Sequence, residues 1–322
     1  MDLVLGIDAG GTSSRCAVRT LNGDPVGYGR SGGGNPTAHG AATARSNLAS
    51  AVRQALGACD PARVRAAVAG VAGFGTTPGD LAELWSALGL AVAPRVVGDA
   101  EIAFSAGTAA PSGTVLISGT GAIAAAVANR SLAAVADGYG WLLGDTGSGF
   151  WLGRQAVGRV LDTLRHGAPP YGQLAESVAD RLLGTGEEPL GPGVVDRVIR
   201  AVHARAPLAL AELAPLVTAA AEAGDAVAAG LVTQAAGHLV DTVSRVREKD
   251  ATGPIVLAGS VLTGGGPVGH AVRDLLARRW DAPVTVAGDA ACAAAWLAAR
   301  DLVPDPDALH ARIMRPLSIE RA

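Results

Sequence analysis

The chain has 322 residues, 49% of them hydrophobic and 17% charged, a composition that fits a compact globular protein with room for two domains and argues against extended disorder. Its formal net charge is −3 and it has no basic run of five or more residues, so nothing supplies the field that binding to nucleic acid or anionic lipid needs. Neither a charged leader before an apolar core nor an apolar span of about 18 residues is present, so no membrane segment is expected and a cytoplasmic location is.

The first element is an apolar run, Leu3-Val4-Leu5, which feeds the glycine turn Gly6-Ile7-Asp8-Ala9-Gly10-Gly11-Thr12-Ser13-Ser14 and is followed by a second run, Cys16-Ala17-Val18. This reads as strand, tight turn, strand. Gly10 and Gly11 allow a sharp turn that points N–H groups at a phosphate, Thr12 and Ser13 add hydroxyl donors, and Asp8 can hold a magnesium ion through its waters. An ordinary glycine hairpin is the competing reading. Strands are expected near 3–8, 14–20 and 25–30. The loop Gly32-Gly33-Gly34-Asn35-Pro36 follows, then a helix over about 37–57 whose Ala41, Ala44, Leu48, Val52 and Leu56 define one buried face. Asn35 stands where an N-cap would. A strand 64–71, a helix 79–88 and a strand 94–98 complete the first half. That last strand runs into Val96-Val97-Gly98-Asp99-Ala100-Glu101, where Asp99 serves either as a helix N-cap or as a carboxylate tuned by burial.

The second half repeats the opening pattern. Gly113-Thr114-Val115-Leu116-Ile117-Ser118 leads into Gly119-Thr120-Gly121-Ala122, a second phosphate-type turn, and an apolar stretch to Ala128. Strands are expected near 113–119, 122–128 and 132–137, then helices near 148–166, 171–184, 193–204, 208–222 and 225–248. A strand 254–258, a helix 266–279, a short strand 283–286 and a helix 289–300 are expected to close the second lobe. Ile255-Val256-Leu257-Ala258 ends in the small-residue turn Gly259-Ser260, where a flat ring could approach the backbone. A dinucleotide fingerprint also matches Gly119 to Ala124, but Asn129-Arg130-Ser131 interrupts too soon for the helix such a turn must open.

Lys249 is the only lysine and no glycine loop precedes it, which excludes a Walker A loop. Phosphate must then be held by backbone N–H groups, hydroxyls and metal. Cys16, Cys59 and Cys292 are far apart, have no paired spacing and read as free thiols. Tyr139, Trp141, Phe150 and Trp151 crowd into one segment of an aromatic-poor chain, with glycines between them. They suit either a sugar face or a core plug, the second being preferred for Phe150 and Trp151. Asp145, a loop carboxylate between small residues, is free to face a cleft.

With these parts in this order, nearly the whole chain resembles the sugar kinase, actin and heat-shock ATPase superfamily. It looks most like the N-acetylglucosamine kinase and BadF/BcrA ATPase group. The stretch Asp137-Gly138-Tyr139-Gly140-Trp141-Leu142-Leu143-Gly144-Asp145-Thr146-Gly147-Ser148-Gly149-Phe150-Trp151-Leu152-Gly153-Arg154 is similar to the signature of actinobacterial glucosamine kinases. The resemblance implies an α/β protein of two ribonuclease-H-like lobes with an interlobe cleft and a helical insert in the second lobe. The lobes would be 1–112, joined by the tail 303–322, and 113–302. It implies ATP and Mg2+ as cofactors, an amino sugar as substrate, no nucleic acid or membrane partner, and a homodimer. Asp99 becomes the general base; Asn35, Asp99, Glu101, Trp141 and Asp145 bind sugar. Gly10, Gly11, Thr12, Ser13, Gly119, Thr120, Gly121, Gly259 and Ser260 bind ATP, and Asp8 the metal. The expected reaction is phosphorylation of glucosamine on its 6-hydroxyl. The alternatives are an N-acetylglucosamine kinase of broad hexose acceptance and an activator ATPase, which would need clustered cysteine ligands. A sugar-sensing repressor would need a helix-turn-helix ahead of the first strand, for which the start at residue 3 is expected to leave no room.

Overall fold

The computed structural model describes residues 1–71, 82–184 and 190–315. In chain order the elements are β1 (Leu3–Ala9), β2 (Ser13–Thr20), β3 (Pro25–Gly32), α1 (Pro36–His39), α2 (Ala41–Leu56), β4 (Val64–Val71), α3 (Ala82–Ala87), β5 (Arg95–Gly98) and α4 (Asp99–Ser105). Then come β6 (Gly113–Ser118), β7 (Ala122–Ala128), β8 (Ser131–Asp137), α5 (Gly149–His166), α6 (Gln173–Leu183), α7 (Val195–His203), α8 (Ala214–Glu222) and α9 (Ala226–Ser244). The chain ends with β9 (Ile255–Ala258), α10 (Ser260–Thr263), α11 (Pro267–Arg279), β10 (Val284–Val286), α12 (Ala290–Ala299) and α13 (Pro306–Ile313). Two compact units result. Unit 1 comprises 1–112, 127–132 and 285–322, and unit 2 comprises 113–126 and 133–284.

The sheet of unit 1 has the order β3-β2-β1-β4-β5, with β1 antiparallel to β2 and parallel to β4. Three adjacent strands followed by helix–strand alternation is the order expected of a ribonuclease-H-like lobe. Every residue of β1 is buried, because helices cover both faces. Side chains alternate across a strand, so Leu3, Leu5 and Ile7 pack with Leu48 and Val52 of α2, whereas Val4 packs with Trp296 of α12 on the other face. Gly6 shares the face of Val4, and a Cβ there would lie 2.1 Å from the Ala291 carbonyl oxygen.

The sheet of unit 2 has the order β10-β9-β6-β7-β8, with β9 parallel to β6. Between β7 and β8, Asn129 and Arg130 both have positive φ, 49° and 64°, the backbone of a two-residue hairpin turn and not of a helix start. Helices α5 to α9 form the insert and bury Leu152, Val178, Val217, Leu231 and Leu239 in one core. No single helix among the described residues is long and apolar enough to cross a membrane.

Three expectations are corrected. The helix over 37–57 breaks at Gly40, whose φ of +79° is not helical, so Ala41 begins α2 on the exposed side and the buried face runs from Ala44 through Leu48 and Val52 to Leu56. The N-cap of α2 is therefore Gly40, while Asn35 stands at the entrance to α1, where its carbonyl accepts the His39 N–H at 3.1 Å. The helix over 208–222 is a 3-10 segment, Pro207–Leu213, followed by α8, because Pro215 lacks an N–H and must fall in a first turn. The helix over 225–248 stops at Ser244. Residues 79–81 of the expected third helix and 316–322 of the tail lie outside the described residues.

Candidate functional site

Unit 1 gathers its reactive groups on the α12 face of the sheet. Asp8 shares the parity of Val4 and Gly6, and Arg15 lies directly opposite it in antiparallel register, with Nη2 2.8 Å from Asp8 Oδ2. Two residues along β2, Ala17 pairs with Tyr28 of β3, whose hydroxyl donates to Oδ2 of Asp289 at 2.6 Å. Asp289 is the N-cap of α12, and its Oδ1 accepts the Cys292 N–H at 2.8 Å. Burial pushes the Asp8 carboxyl up to about 6; the Arg15 guanidinium opposes that rise, while Asp289 and Asp99 add to it.

The turn after Asp8 is built from backbone. Gly10 N–H donates to the Ser13 carbonyl at 3.0 Å, and Gly34 N–H donates to the Gly10 carbonyl at 2.9 Å. The loop carrying Asn35 is thereby tied to the turn, and a Cβ on Gly34 would meet Ser14 Oγ at 2.5 Å. Gly11 and Thr12 are exposed, and the space around Gly11 is open. Ser14 Oγ is buried without a hydrogen-bond partner.

Asp99 is the first residue of α4. The N-cap is Gly98, which corrects the capping alternative for Asp99. Glu101, at the third helical position, accepts the Gly98 N–H through Oε2, so this expected sugar ligand also closes its own helix start. Asp99 Oδ1 accepts the Ala100 N–H at 2.9 Å, and burial raises the Asp99 carboxyl above its usual range. A raised carboxylate pKa makes a better proton acceptor.

In unit 2 the second glycine turn is clamped to the start of α5. Gly149 N–H donates to the Gly119 carbonyl at 2.7 Å and Phe150 N–H to the Thr120 carbonyl at 3.2 Å, while Ser148 caps the helix through the Trp151 N–H. Gly259 has φ +85° and a Cβ there would sit 2.3 Å from the Ser118 carbonyl oxygen, so the β9–α10 turn lies against the end of β6. Gly119, Thr120 and Ser260 consequently line one cavity of about 310 Å³, closed on another side by Thr218 and Glu222 of α8. Its size is at the lower end for a small-molecule site.

The signature loop is held by Asp137, whose Oδ1 accepts the Asp145 N–H at 2.7 Å and whose Oδ2 accepts the Thr146 N–H and hydroxyl at 3.1 Å. Both aspartates have left-handed backbones, φ 63° and 58°. Asp145 is buried and its carboxylate lies against the second turn, since a Cβ on Gly121 would be 2.7 Å from Oδ2. Burial raises its carboxyl, and the Ala122 and Gly140 backbones favour the charged form. Trp141 is half-buried, its ring 5.3 Å from that of Phe150. Phe150 is buried, as the core-plug reading expects, and Trp151 packs edge-on to His238.

Sequence reasoning missed Arg15, Tyr28, Asp289, Thr218, Glu222 and the bracing role of Asp137. The Asp289 capping position before an alanine-rich helix was a readable signal, but its meeting with Asp8 was not. Among the described residues no group of three or more His, Cys, Asp or Glu is disposed to hold a metal ion. Magnesium usually takes one or two carboxylates plus waters and phosphate oxygens, a set that Asp8 beside the turn fits.

The profile of the BadF/BadG/BcrA/BcrD ATPase family matches residues 5–290. The N-acetyl-D-glucosamine kinase of Dictyostelium discoideum is 29% identical over 163 residues, 50% of this chain and 49% of that protein. This chain spans about half the length of the curated relatives it matches. The crystal structure of a candidate N-acetylglucosamine kinase from Chromobacterium violaceum superposes with a TM-score of 0.70 at 26% identity, covering 92% of this chain and 99% of that one. A ROK family glucokinase from Streptomyces griseus, solved with glucose and AMPPNP, gives 0.58 at 22% identity over 92% and 99%. The fold is that of the actin-like ATPases and sugar kinases.

Proposed function

The chain belongs to the BadF/BadG/BcrA/BcrD ATPase family, and from that premise we propose that it transfers the terminal phosphoryl group of ATP to the 6-hydroxyl of an amino sugar, glucosamine first. The observation that carries the ATP half is the cavity where the second glycine turn meets Ser260. Gly119, Thr120 and Gly121 are assigned to phosphate and Gly259-Ser260 to the nucleoside, and Gly10, Gly11, Thr12 and Ser13 are likewise assigned to phosphate. Asp99 takes the proton of the attacking hydroxyl as the new sugar O–P bond forms and the bond to the ADP oxygen breaks. Magnesium, held at Asp8, would neutralise charge on the phosphates.

The acceptor rests on the signature loop. Asn35, Glu101, Trp141 and Asp145 are assigned to the sugar, and a carboxylate beside the 2-ammonium would contribute a charge-assisted hydrogen bond of roughly 1.5–3 kcal/mol. The relatives' names favour N-acetylglucosamine as the second reading. An activator role draws no support from the thiols: Cys16 and Cys292 are buried, and burial pushes both up, Cys292 to about 11, away from the thiolate that ligates iron. A coupled kinase assay across glucose, glucosamine, N-acetylglucosamine and mannose, with the product mapped by NMR, tests the reading. Comparable kcat/KM for the two amino sugars would overturn amine preference, and ATP hydrolysis without any sugar dependence would overturn the kinase.

A further inference from the structure

Two consecutive carbonyls of the first glycine turn are tied back to the loop that follows β3. The Gly34 N–H donates to the Gly10 carbonyl at 2.9 Å, and the next carbonyl, that of Gly11, is held by the imidazole of His39 through Nε2. A carbonyl oxygen only accepts, so Nε2 carries the proton and donates it. His39 is the last residue of the short helix α1, which returns its exposed side chain to the turn.

The effect on the turn follows from the planar peptide. In a trans peptide the C=O and the N–H point in opposite directions, so drawing the Gly10 carbonyl to the loop turns the Gly11 N–H away from it. Drawing the Gly11 carbonyl does the same for the Thr12 N–H. Successive N–H groups directed to one side make an anion-binding concavity, and the space around Gly11 is open. Glycine adopts both signs of φ, so Gly10-Gly11 does not fix these peptide planes by itself. The bonds on the two carbonyls do. The imidazole is in turn placed by its surroundings: its backbone N–H donates to the Asn35 carbonyl at 3.1 Å, and the Asn47 side chain of α2 donates to the Gly33 carbonyl at 2.8 Å. A Cβ on Gly33 would lie 2.2 Å from His39 Nε2 and 2.4 Å from the Gly11 carbonyl oxygen, so the contact needs a residue without a side chain there.

We propose that His39 is a positioning residue whose imidazole fixes the Gly11–Thr12 peptide and so presents the Thr12 N–H to the phosphates of the nucleotide. The inference rests on the assignment of this turn to phosphate, and its test does not depend on turnover. Calorimetry with AMPPNP and magnesium, and with adenosine, which has no phosphate, compares wild type, His39→Ala and His39→Gln. Loss of one hydrogen bond that holds the turn predicts a drop of roughly threefold to tenfold in AMPPNP affinity for His39→Ala, with adenosine affinity unchanged. Glutamine, whose amide nitrogen stands in for Nε2 as a donor, restores most of the AMPPNP affinity. That rescue decides the case should adenosine bind too weakly to measure. A smaller loss, an equal loss for adenosine, or a glutamine variant as weak as the alanine one would show a surface or folding group only and overturn the assignment. A wild-type chain that binds neither ligand overturns both this assignment and the kinase. The AMPPNP-selective loss with glutamine rescue, but no sugar-dependent turnover, supports His39 and overturns the kinase alone. Sugar-dependent turnover with an unaffected alanine variant does the reverse.

Discussion

Replacing Asp8 by asparagine is expected to stabilise unit 1 at neutral pH. The carboxyl rises from its ordinary value of 3.8 to about 6 in the fold, so the charged form is disfavoured where it sits, net of its pairing with Arg15. A rise of that size corresponds to about 3 kcal/mol. The sign follows from the direction. A raised carboxyl contributes its stability fully below pH 3.8 and loses it as pH climbs through 6, so at pH 7.5 the wild type carries the whole penalty. Asparagine stands in for the protonated acid. The variant should therefore exceed wild type by about 3 kcal/mol at pH 7.5 and by only about 1 kcal/mol at pH 4.5. Urea unfolding of both chains at the two pH values, read on the Leu3–Ala9 strand by pulsed hydrogen exchange, isolates unit 1 from unit 2. A variant less stable than wild type at pH 7.5, or a difference that does not shrink on acidification, would refute the reasoning: the Arg15 pair would then outweigh the cost of burying the charge.

Asp99→Asn should lower kcat by roughly 10²–10⁴-fold while nucleotide affinity holds, since a positioned base is worth about that much; turnover near wild type would remove Asp99 from the role. Gly119→Val should weaken nucleotide binding measured by calorimetry. A Cβ at Gly119 meets nothing of the protein closer than 4.0 Å, so the fold tolerates it and an unchanged affinity would mean that no phosphate approaches this turn.

Both glycine turns, the hairpin at Asn129-Arg130 and the succession of strands and helices along unit 1 were legible because each depends on neighbours in sequence: an apolar run, a residue without Cβ, a change of period. Local reasoning failed where one residue's conformation decided the outcome. Gly40 reads as a tolerable helix residue until its positive φ ends α1, and Pro215 shifts the start of α8. It failed more deeply at the site. Nothing near Asp8 in sequence announces Asp289, nothing near Gly119 announces Glu222, and Arg15 reads as a surface charge until the register of β1 and β2 puts it opposite Asp8. Asp145 reads as a free loop carboxylate, yet it is buried against Gly121 because Asp137 grips the backbone around it.

What brings the acids together in unit 1 is the absence of side chains beside them. A Cβ at Gly6 would overlap the backbone of α12, and one at Gly70 would lie 2.2 Å from Ile102 of α4. Two helices can therefore lie directly on β1 and β4, and each helix start carries a carboxylate, Asp289 as the cap of α12 and Asp99 as the first residue of α4. β4 stands between β1 and β5 in the sheet, so the ends of those strands, where Asp8 and Asp99 sit, are two strand spacings apart, about 10 Å. At one spacing, about 5 Å, the two carboxylates would compete for the same proton or ion. At two, Asp99 acts on Asp8 less strongly than Arg15 or Asp289 does, a separation compatible with the two different roles proposed for them. Strand order thus sets the distance between the two acids, and close helix packing at two glycines puts the helix starts that carry Asp289 and Asp99 against the sheet.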